Sequence, residues 1–281
     1  MFASKRERER KALFAKSPFV IGMVHLKPLP GSPRYQGPFS EVIESAKEDT
    51  VNLAKGGVDG IMVENFFDAP FAPRRVETET IAAMSIAQRE VVAAAKAVNT
   101  KLRMGINVLR NDGLSALAIA SVSSTDFIRV NVLSAARVSD QGIIEGIAYQ
   151  LARYRAALGA KHIKIFADLD VKHSAALAKI PKEIEAEDLV HRGAADGIIV
   201  TGPSTGRAID ASILDGGLEN LGVPIIVGSG VNAETVGKLS SRVDGFIVGT
   251  SLKLDGRIEG AVDVNRVRAF IQALEETRAL K

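Results

Sequence analysis

Eight short apolar runs recur along the chain, with helical patterns lying between them. The runs are 19–26 (FVIGMVHL), 58–65 (VDGIMVEN), 101–108 (KLRMGINV), 126–132, 162–169, 196–202 (DGIIVTG), 223–229 (VPIIVGS) and 244–250 (DGFIVGT). They are rich in Val and Ile and three of the eight end in Asn, Gly or Ser, which predicts strands. Residues 40–55 predict a helix with Ser40 as N-cap, Glu41 in the first turn and Gly56-Gly57 as the stop. Residues 77–97 carry Ile81, Met84, Ile86 and Val91-Val92 among alanines, and Asp263 precedes Val264, Val267, Phe270, Ile271 and Leu274 at helical spacing. Strand–helix alternation of this kind predicts right-handed βαβ units on a parallel sheet. Eight units in roughly 250 residues is the arithmetic of an α/β protein with the (β/α)8 TIM-barrel fold. No linker or composition shift divides the chain, so a single barrel domain is expected over 18–281. The alternative, an open doubly wound sheet, calls for a glycine-rich fingerprint after the first strand, and Gly22-Met23-Val24-His25 is not one.

Charge and composition narrow the partners. Residues 1–17 hold six Lys/Arg and two Glu, so the basic balance sits in an N-terminal arm while the other 264 residues sum to −1. Such an arm is read as a solvated tail or leading helix, with docking to a membrane surface or partner as the alternative. Nucleic-acid binding would want a clustered basic face with stacking aromatics; aromatics are only 5%, so no nucleic-acid partner is expected. No apolar run reaches the ~18–20 residues of a membrane span, and none follows the arm as a secretory signal would. The chain has no cysteine, which excludes disulfides and thiolate chemistry and fits a cytoplasmic location.

Two of the runs alternate apolar residues with charges. In Phe127-Ile128-Arg129-Val130-Asn131-Val132 the β-branched side chains share one face and Arg129 and Asn131 the other; in Ile163-Lys164-Ile165-Phe166-Ala167-Asp168, Lys164 and Asp168 are in phase. A barrel strand packs one face on the helices, so Ile128, Val130, Val132, Ile163 and Ile165 belong there. Arg129, Asn131, Lys164 and Asp168 then point into the lumen, where a charge is costly unless paired. Glu64-Asn65, Asn107 and His25 at other strand ends are the expected partners, gathered at the C-terminal mouth.

Several of these segments form motifs. Met23-Val24-His25-Leu26-Lys27-Pro28-Leu29-Pro30-Gly31-Ser32-Pro33 and Val63-Glu64-Asn65-Phe66-Phe67-Asp68-Ala69-Pro70-Phe71 resemble the BtpA/SgcQ family. The likeness continues through Arg129-Val130-Asn131-Val132 and Asp168-Leu169-Asp170-Val171-Lys172-His173 to Val227-Gly228-Ser229-Gly230-Val231. The resemblance implies a TIM-like barrel of the ribulose-phosphate-binding kind and leaves the substrate open. One branch of that family is named for photosystem I biogenesis, and another is associated by name with sugar metabolism.

Gly228-Ser229-Gly230 and Gly249-Thr250-Ser251 end the seventh and eighth strands, the positions where this fold holds phosphate on backbone N–H groups and helix N-termini. The plain alternative is a pair of tight turns. Glu64, Asp168, Asn107 and Asn131 are candidate acid–base and hydroxyl-binding groups, against an ion-pair network with Arg129 and Lys164 that only holds the barrel together. Lys164 is also a candidate electrophile, phosphate ligand or Schiff-base amine. His25 and His173 with Glu64 and Asp168 would suit a divalent metal, but no HxH or HExxH spacing supports one, so no cofactor is predicted and a metal is kept only as an alternative. Thr201–Gly206 reads as a mobile lid or a polar turn. The expected function is an enzyme acting on a phosphorylated sugar or nucleotide-derived sugar, as isomerase, epimerase, lyase or glycosidic hydrolase. The alternative is a non-catalytic assembly or binding protein using the arm and the Lys27–Pro38 loop as contacts. A homo-oligomer is compatible with either.

Overall fold

The computed structural model describes residues 13–202, 211–215 and 217–279. Within them the strands are, in chain order, β1 (Phe19–His25), β2 (Gly60–Glu64), β3 (Arg103–Asn107), β4 (Phe127–Val130), β5 (Ala136–Ser139), β6 (Gly142–Glu145), β7 (Lys164–Asp168), β8 (Ser174–Ala176), β9 (Gly197–Val200), β10 (Ile225–Val227) and β11 (Gly245–Val248). The helices are α1 (Phe39–Gly56), α2 (Thr78–Val98), α3 (Gly113–Val122), α4 (Ala148–Ala157), α5 (Lys182–Glu187), α6 (Val236–Leu239) and α7 (Val264–Ala279). Eight strands close a parallel barrel in the order β1-β2-β3-β4-β7-β9-β10-β11 and back to β1, which is the TIM barrel expected. The remaining three, β6-β5-β8, form an antiparallel ribbon that the sequence pattern did not predict.

Ser40 does not cap α1. The helix starts at Phe39 behind Pro38, so Ser40 lies in its first turn. The stop was read correctly: Gly57 takes φ +97 and its N–H returns to the carbonyls of Leu53 and Ala54, a left-handed conformation that glycine adopts without a Cβ penalty. At the other end of the chain Asp263 caps α7 by accepting from the Asn265 N–H at 2.8 Å.

Two buried layers follow from the alternation along each strand. Ile128, Val130, Ile163 and Ile165 face the helices with Leu53, Met84, Leu117 and Phe270, as expected. Val132 does not; it packs with Ile144 and Val171 under the ribbon. The opposite faces fill the lumen with Phe19, Ile21, Met23, Met62, Phe127, Phe166, Ile199, Ile226 and Ile247. Bulk on one strand is matched by space on the next. A Cβ at Gly105 would lie 2.1 Å from the Phe127 ring, and one at Gly245 would lie 2.2 Å from the Phe19 ring. Large beside small is how a narrow barrel reaches interior density.

Phe14 closes the floor. Its ring stacks on Phe19 at 3.8 Å, lies 6.3 Å from Phe127 and is 7% exposed, while the Leu13 carbonyl accepts from Arg103 Nε at 2.7 Å. Dispensability of the basic arm is thus a proposal for residues 1–12 alone, which lie outside the described residues. Phe14→Ala is expected to lose about 3–5 kcal/mol, read as a lower denaturant midpoint, whereas deletion of residues 1–10 should leave that midpoint in place. Equal midpoints for Phe14→Ala and the parent chain would remove Phe14 from the core.

The floor also carries a repeated clasp. Counted by position around the barrel, so that β7, β9, β10 and β11 are the fifth to eighth strands, Asp59, Asp126, Asp196 and Asp244 each directly precede an even-numbered strand. Their carboxylates accept from the N–H groups of Val20, Met104, Ile165 and Ile225, at 2.9, 2.8, 2.9 and 3.0 Å, on the odd-numbered strand before. The main-chain carbonyls of Asp59, Asp126 and Asp244 reach the other way, accepting from Arg103, Lys164 and Phe19 on the next odd-numbered strand.

Candidate active site at the C-terminal mouth

The polar ends of β1, β2 and β3 stand side by side because the register pairs His25 with Glu64 and Glu64 with Asn107. Asn107 Nδ2 donates to Glu64 Oε2 at 2.6 Å. Across the mouth Arg129 grips Asp168 through both oxygens, Nε to Oδ1 at 2.9 Å and Nη2 to Oδ2 at 3.0 Å, and Asn131 Nδ2 adds a third bond at 2.8 Å. Burial alone would push the Arg129 guanidinium down, but the Asp168 carboxylate outweighs it and the net direction is up. The pair is charged and fully buried, an arrangement that stands only because both partners are present.

Lys164 is not in this group. It opens β7 at the floor, opposite Phe127, with Nζ 3.7 Å from Asp196, and it lines a cavity with Phe14, Arg155 and Phe166. Its phase was read correctly and its height was not, so the expected contact with Glu64 or Asp168 does not form. Lys172 occupies the mouth instead. Burial and the charges of Arg129 and Arg110 push its ammonium down to about 8, against the opposing pull of Glu64 and Asp168.

The loop bearing Lys172 is pinned from several sides. Arg137 on the ribbon pairs with Asp170 and Glu185 and donates to the Leu169 carbonyl at 3.0 Å. Thr201 Oγ1 donates to the Asp170 carbonyl at 2.6 Å, and Arg110 Nη2 to the Lys172 carbonyl at 2.8 Å. On the far side Asn65 and Asp68 knit the first three loops: Asn65 Oδ1 accepts from Leu109 N at 2.7 Å and Asp68 Oδ1 from Leu29 N at 2.8 Å. Leu29 is thereby buried, and the Lys27–Pro38 loop lies over the mouth with Arg34 at its rim.

His25 lies 5.0 Å from the Phe66 ring, and its Nδ1 is buried without a partner. Burial, then the charges of Lys253, Lys172 and Arg129, push the imidazole down to about 3, so it is neutral across the physiological range. His173 lines the same mouth, yet among the described residues no cluster of three or more His, Asp or Glu side chains is arranged to hold a metal ion.

Two cavities of about 280 Å3 each share Glu64, Phe66, Arg129, Lys172 and Ile258, and so make one cleft with two lobes. The first lobe is walled by Gly228, Ser229, Gly230, Gly249, Thr250 and Ser251. The two glycine loops are tied together, since Ser251 Oγ donates to the Val231 carbonyl at 2.9 Å, and the loop after β9 is tied to the first of them by Gly202 N–H donating to Ser229 Oγ at 3.0 Å. Gly230 has φ +71, and a Cβ at Gly249 would stand 2.9 Å from His25 Cε1. The expected helix dipoles contribute little, because α6 has four residues and a three-residue 3-10 turn follows β11. A cation missed in the sequence stands there instead: Arg266, whose Nε donates to the Ser251 carbonyl at 3.0 Å. Of the Thr201–Gly206 segment, residues 203–206 lie outside the described residues.

Fold and cleft together define a TIM barrel with a charged pocket at the C-terminal mouth and two glycine loops after its last strands. Barrels of similar shape include KGPDC from Streptococcus mutans (TM-score 0.55, 11% identity, covering 93% of this chain and 99% of that one). Phosphoribosyl anthranilate isomerase from Thermus thermophilus is comparable (TM-score 0.55, 9% identity, 92% and 98%). The chain belongs to the BtpA family, whose model matches residues 16–276. It is 45% identical over 262 residues to the photosystem I biogenesis protein BtpA of a Synechocystis species (92% of this chain, 88% of that one). A Thermococcus kodakarensis relative named only as an uncharacterized protein is 46% identical over 265 residues (94% and 98%).

Proposed function

We propose that the protein is an enzyme acting on a phosphorylated sugar or nucleotide-derived sugar, with the phosphate against Gly230, Thr250, Ser251 and Arg266 and the sugar carbons over Glu64 and Lys172. The observation that carries this reading is Lys172, an amine with its pKa lowered to about 8, beside the Glu64 carboxylate and one lobe away from paired glycine loops. An amine and a carboxylate of this kind can take a proton from a sugar carbon and return it, which isomerisation, epimerisation and carbon–carbon lysis all require. Asn107 orients Glu64. Asp168 is occupied by three hydrogen bonds, so its role in this reading is to hold Arg129 and Asn131 toward the substrate. Neutral His25 can accept from or donate to a substrate hydroxyl. The likeness in shape to a barrel named as a phosphoribosyl anthranilate isomerase is in keeping with the proposal.

The assembly-protein reading draws on the 45% identity to the Synechocystis biogenesis protein. Against it stands the Lys27–Pro38 loop, which contributes to the cleft rather than standing clear as a contact arm. No helix among the described residues is long and apolar enough to cross a membrane. A cytoplasmic location remains part of the proposal and rests on the cysteine-free composition. A homo-oligomer is proposed on the exposed apolar side chains Val138 and Ile143 of the ribbon and Leu177 just after β8.

Titration calorimetry with ribose 5-phosphate and inorganic phosphate is the direct test. Binding at millimolar ligand or tighter is expected for the wild-type protein. Gly230→Val should weaken it tenfold or more, because a β-branched residue cannot take φ +71 without strain and would crowd the lobe. No heat from either ligand with the wild-type protein would transfer the weight to the assembly reading.

A further inference from the structure

Arg110 is a buried arginine of the cleft without a counter-ion among the described residues. Among the described residues, Arg129 is paired with Asp168, Arg137 with Asp170 and Glu185, Arg103 with Asp126 and Arg155 with Asp196. Arg110 is 8% exposed and, among the described residues, has no carboxylate within 4.0 Å. Its Nη2 is engaged by the Lys172 carbonyl, its face lies 5.9 Å from the Phe71 ring centre, and its Nε is buried with no acceptor. A guanidinium held out of water in this way is costly unless an anion completes it. The side chain lines the second lobe, the half of the cleft away from the glycine loops, with Arg34 and His173 at the same wall.

From this geometry we infer that the second lobe is a carboxylate subsite, so that the substrate is a phosphorylated sugar acid rather than a neutral sugar phosphate. The inference rests on the phosphate reading of the first lobe and adds the group at the other end of the molecule. A phosphate beside Gly230 and Arg266 leaves the chain to run past Lys172, shared by both lobes, and its far carboxylate meets Arg110. A carboxylate accepts from a guanidinium more strongly than a hydroxyl does, and a charge-assisted bond of this kind is about twice as strong as a neutral one. Neutral sugar phosphates would leave Arg110 as uncompensated as it is now, which is a basis for discrimination.

Calorimetry with 6-phosphogluconate, sorbitol 6-phosphate and sorbitol 1,6-bisphosphate tests it, since the three differ only at the end away from the shared phosphate. The wild-type protein should hold 6-phosphogluconate roughly tenfold or more tighter than sorbitol 6-phosphate. In Arg110→Met that ratio should fall to about one; the ratio, not either affinity, is the readout, so a general loosening of the site cancels. Comparable binding of 6-phosphogluconate and sorbitol 6-phosphate by the wild-type protein would overturn the carboxylate subsite and leave the phosphate reading standing. A gain for the bisphosphate equal to that for the acid would also overturn it, by assigning the lobe to a second phosphate. Failure of all three to bind would instead remove the phosphate reading beneath it. Should Arg110→Met not fold, the wild-type ratio decides alone.

Discussion

Brief treatment with acetic anhydride at pH 8 is expected to modify Lys172 well before an ordinary surface lysine, as read by peptide mass spectrometry. At a pKa of about 8 half of the Lys172 amines are neutral at that pH. A lysine near 10.4 has on the order of 0.4% in that form, so the difference in nucleophile is about a hundredfold. The direction follows from the site: burial and two guanidinium groups disfavour the ammonium. Sugar phosphates that bind the cleft should protect the residue. With a substrate in hand, kcat/KM should rise with pH to a plateau above about 8 as the amine loses its proton, and Lys172→Met should lower kcat by roughly 10²–10⁴. Labelling of Lys172 no faster than the exposed lysines at the same pH would show the amine to be ordinary and remove it from the chemistry.

The second large effect is thermodynamic. Asp168→Ala should destabilise the fold by about 3–5 kcal/mol, because it leaves the Arg129 guanidinium buried without its partner. For a barrel of this size that corresponds to a Tm lower by on the order of 10 °C. The double variant Arg129→Met/Asp168→Ala should recover much of the loss, since no buried charge is then stranded. Calorimetric scans of the two singles and the double form a cycle, and additive losses would mean that the pair is not coupled.

How far the sequence reached can be judged residue by residue. Parallel strands buried on both faces read as compact Val/Ile runs, so the eight barrel strands were legible to within a few residues, as was the lumen phase of Arg129, Asn131 and Asp168. Phase says which face a side chain takes but not at which end of the barrel it sits. Lys164 and Asp168 share a face, yet four residues at ~3.3 Å each put them about 13 Å apart along β7, one at the floor and one at the mouth. Lys172 and Arg110 lie in loops without periodicity, and only their position just past a strand end marked them. The polar run Arg110-Asn111-Asp112 after β3 was the available signal for the second lobe. The ribbon escaped because strands of three or four residues leave too short an alternation to stand out.

The aspartate clasps on the floor give the molecule a grain. Each carboxylate ties an even strand to the odd strand before it, so the barrel is a ring of four two-strand staves: β1–β2, β3–β4, β7–β9 and β10–β11. At the floor the joints between staves rely on main-chain pairing instead, as where Phe19 meets Asp244. The chain's elaborations follow this grain. The β5–β6 hairpin is let in at the joint between the second and third staves, and the two ends of the barrel meet at the joint between the fourth and the first. These two joints divide the ring into equal halves of two staves each. The upright stave edges stay clasped at the floor while loops grow at the rim, so new chemistry can be added above without loosening the hoop below.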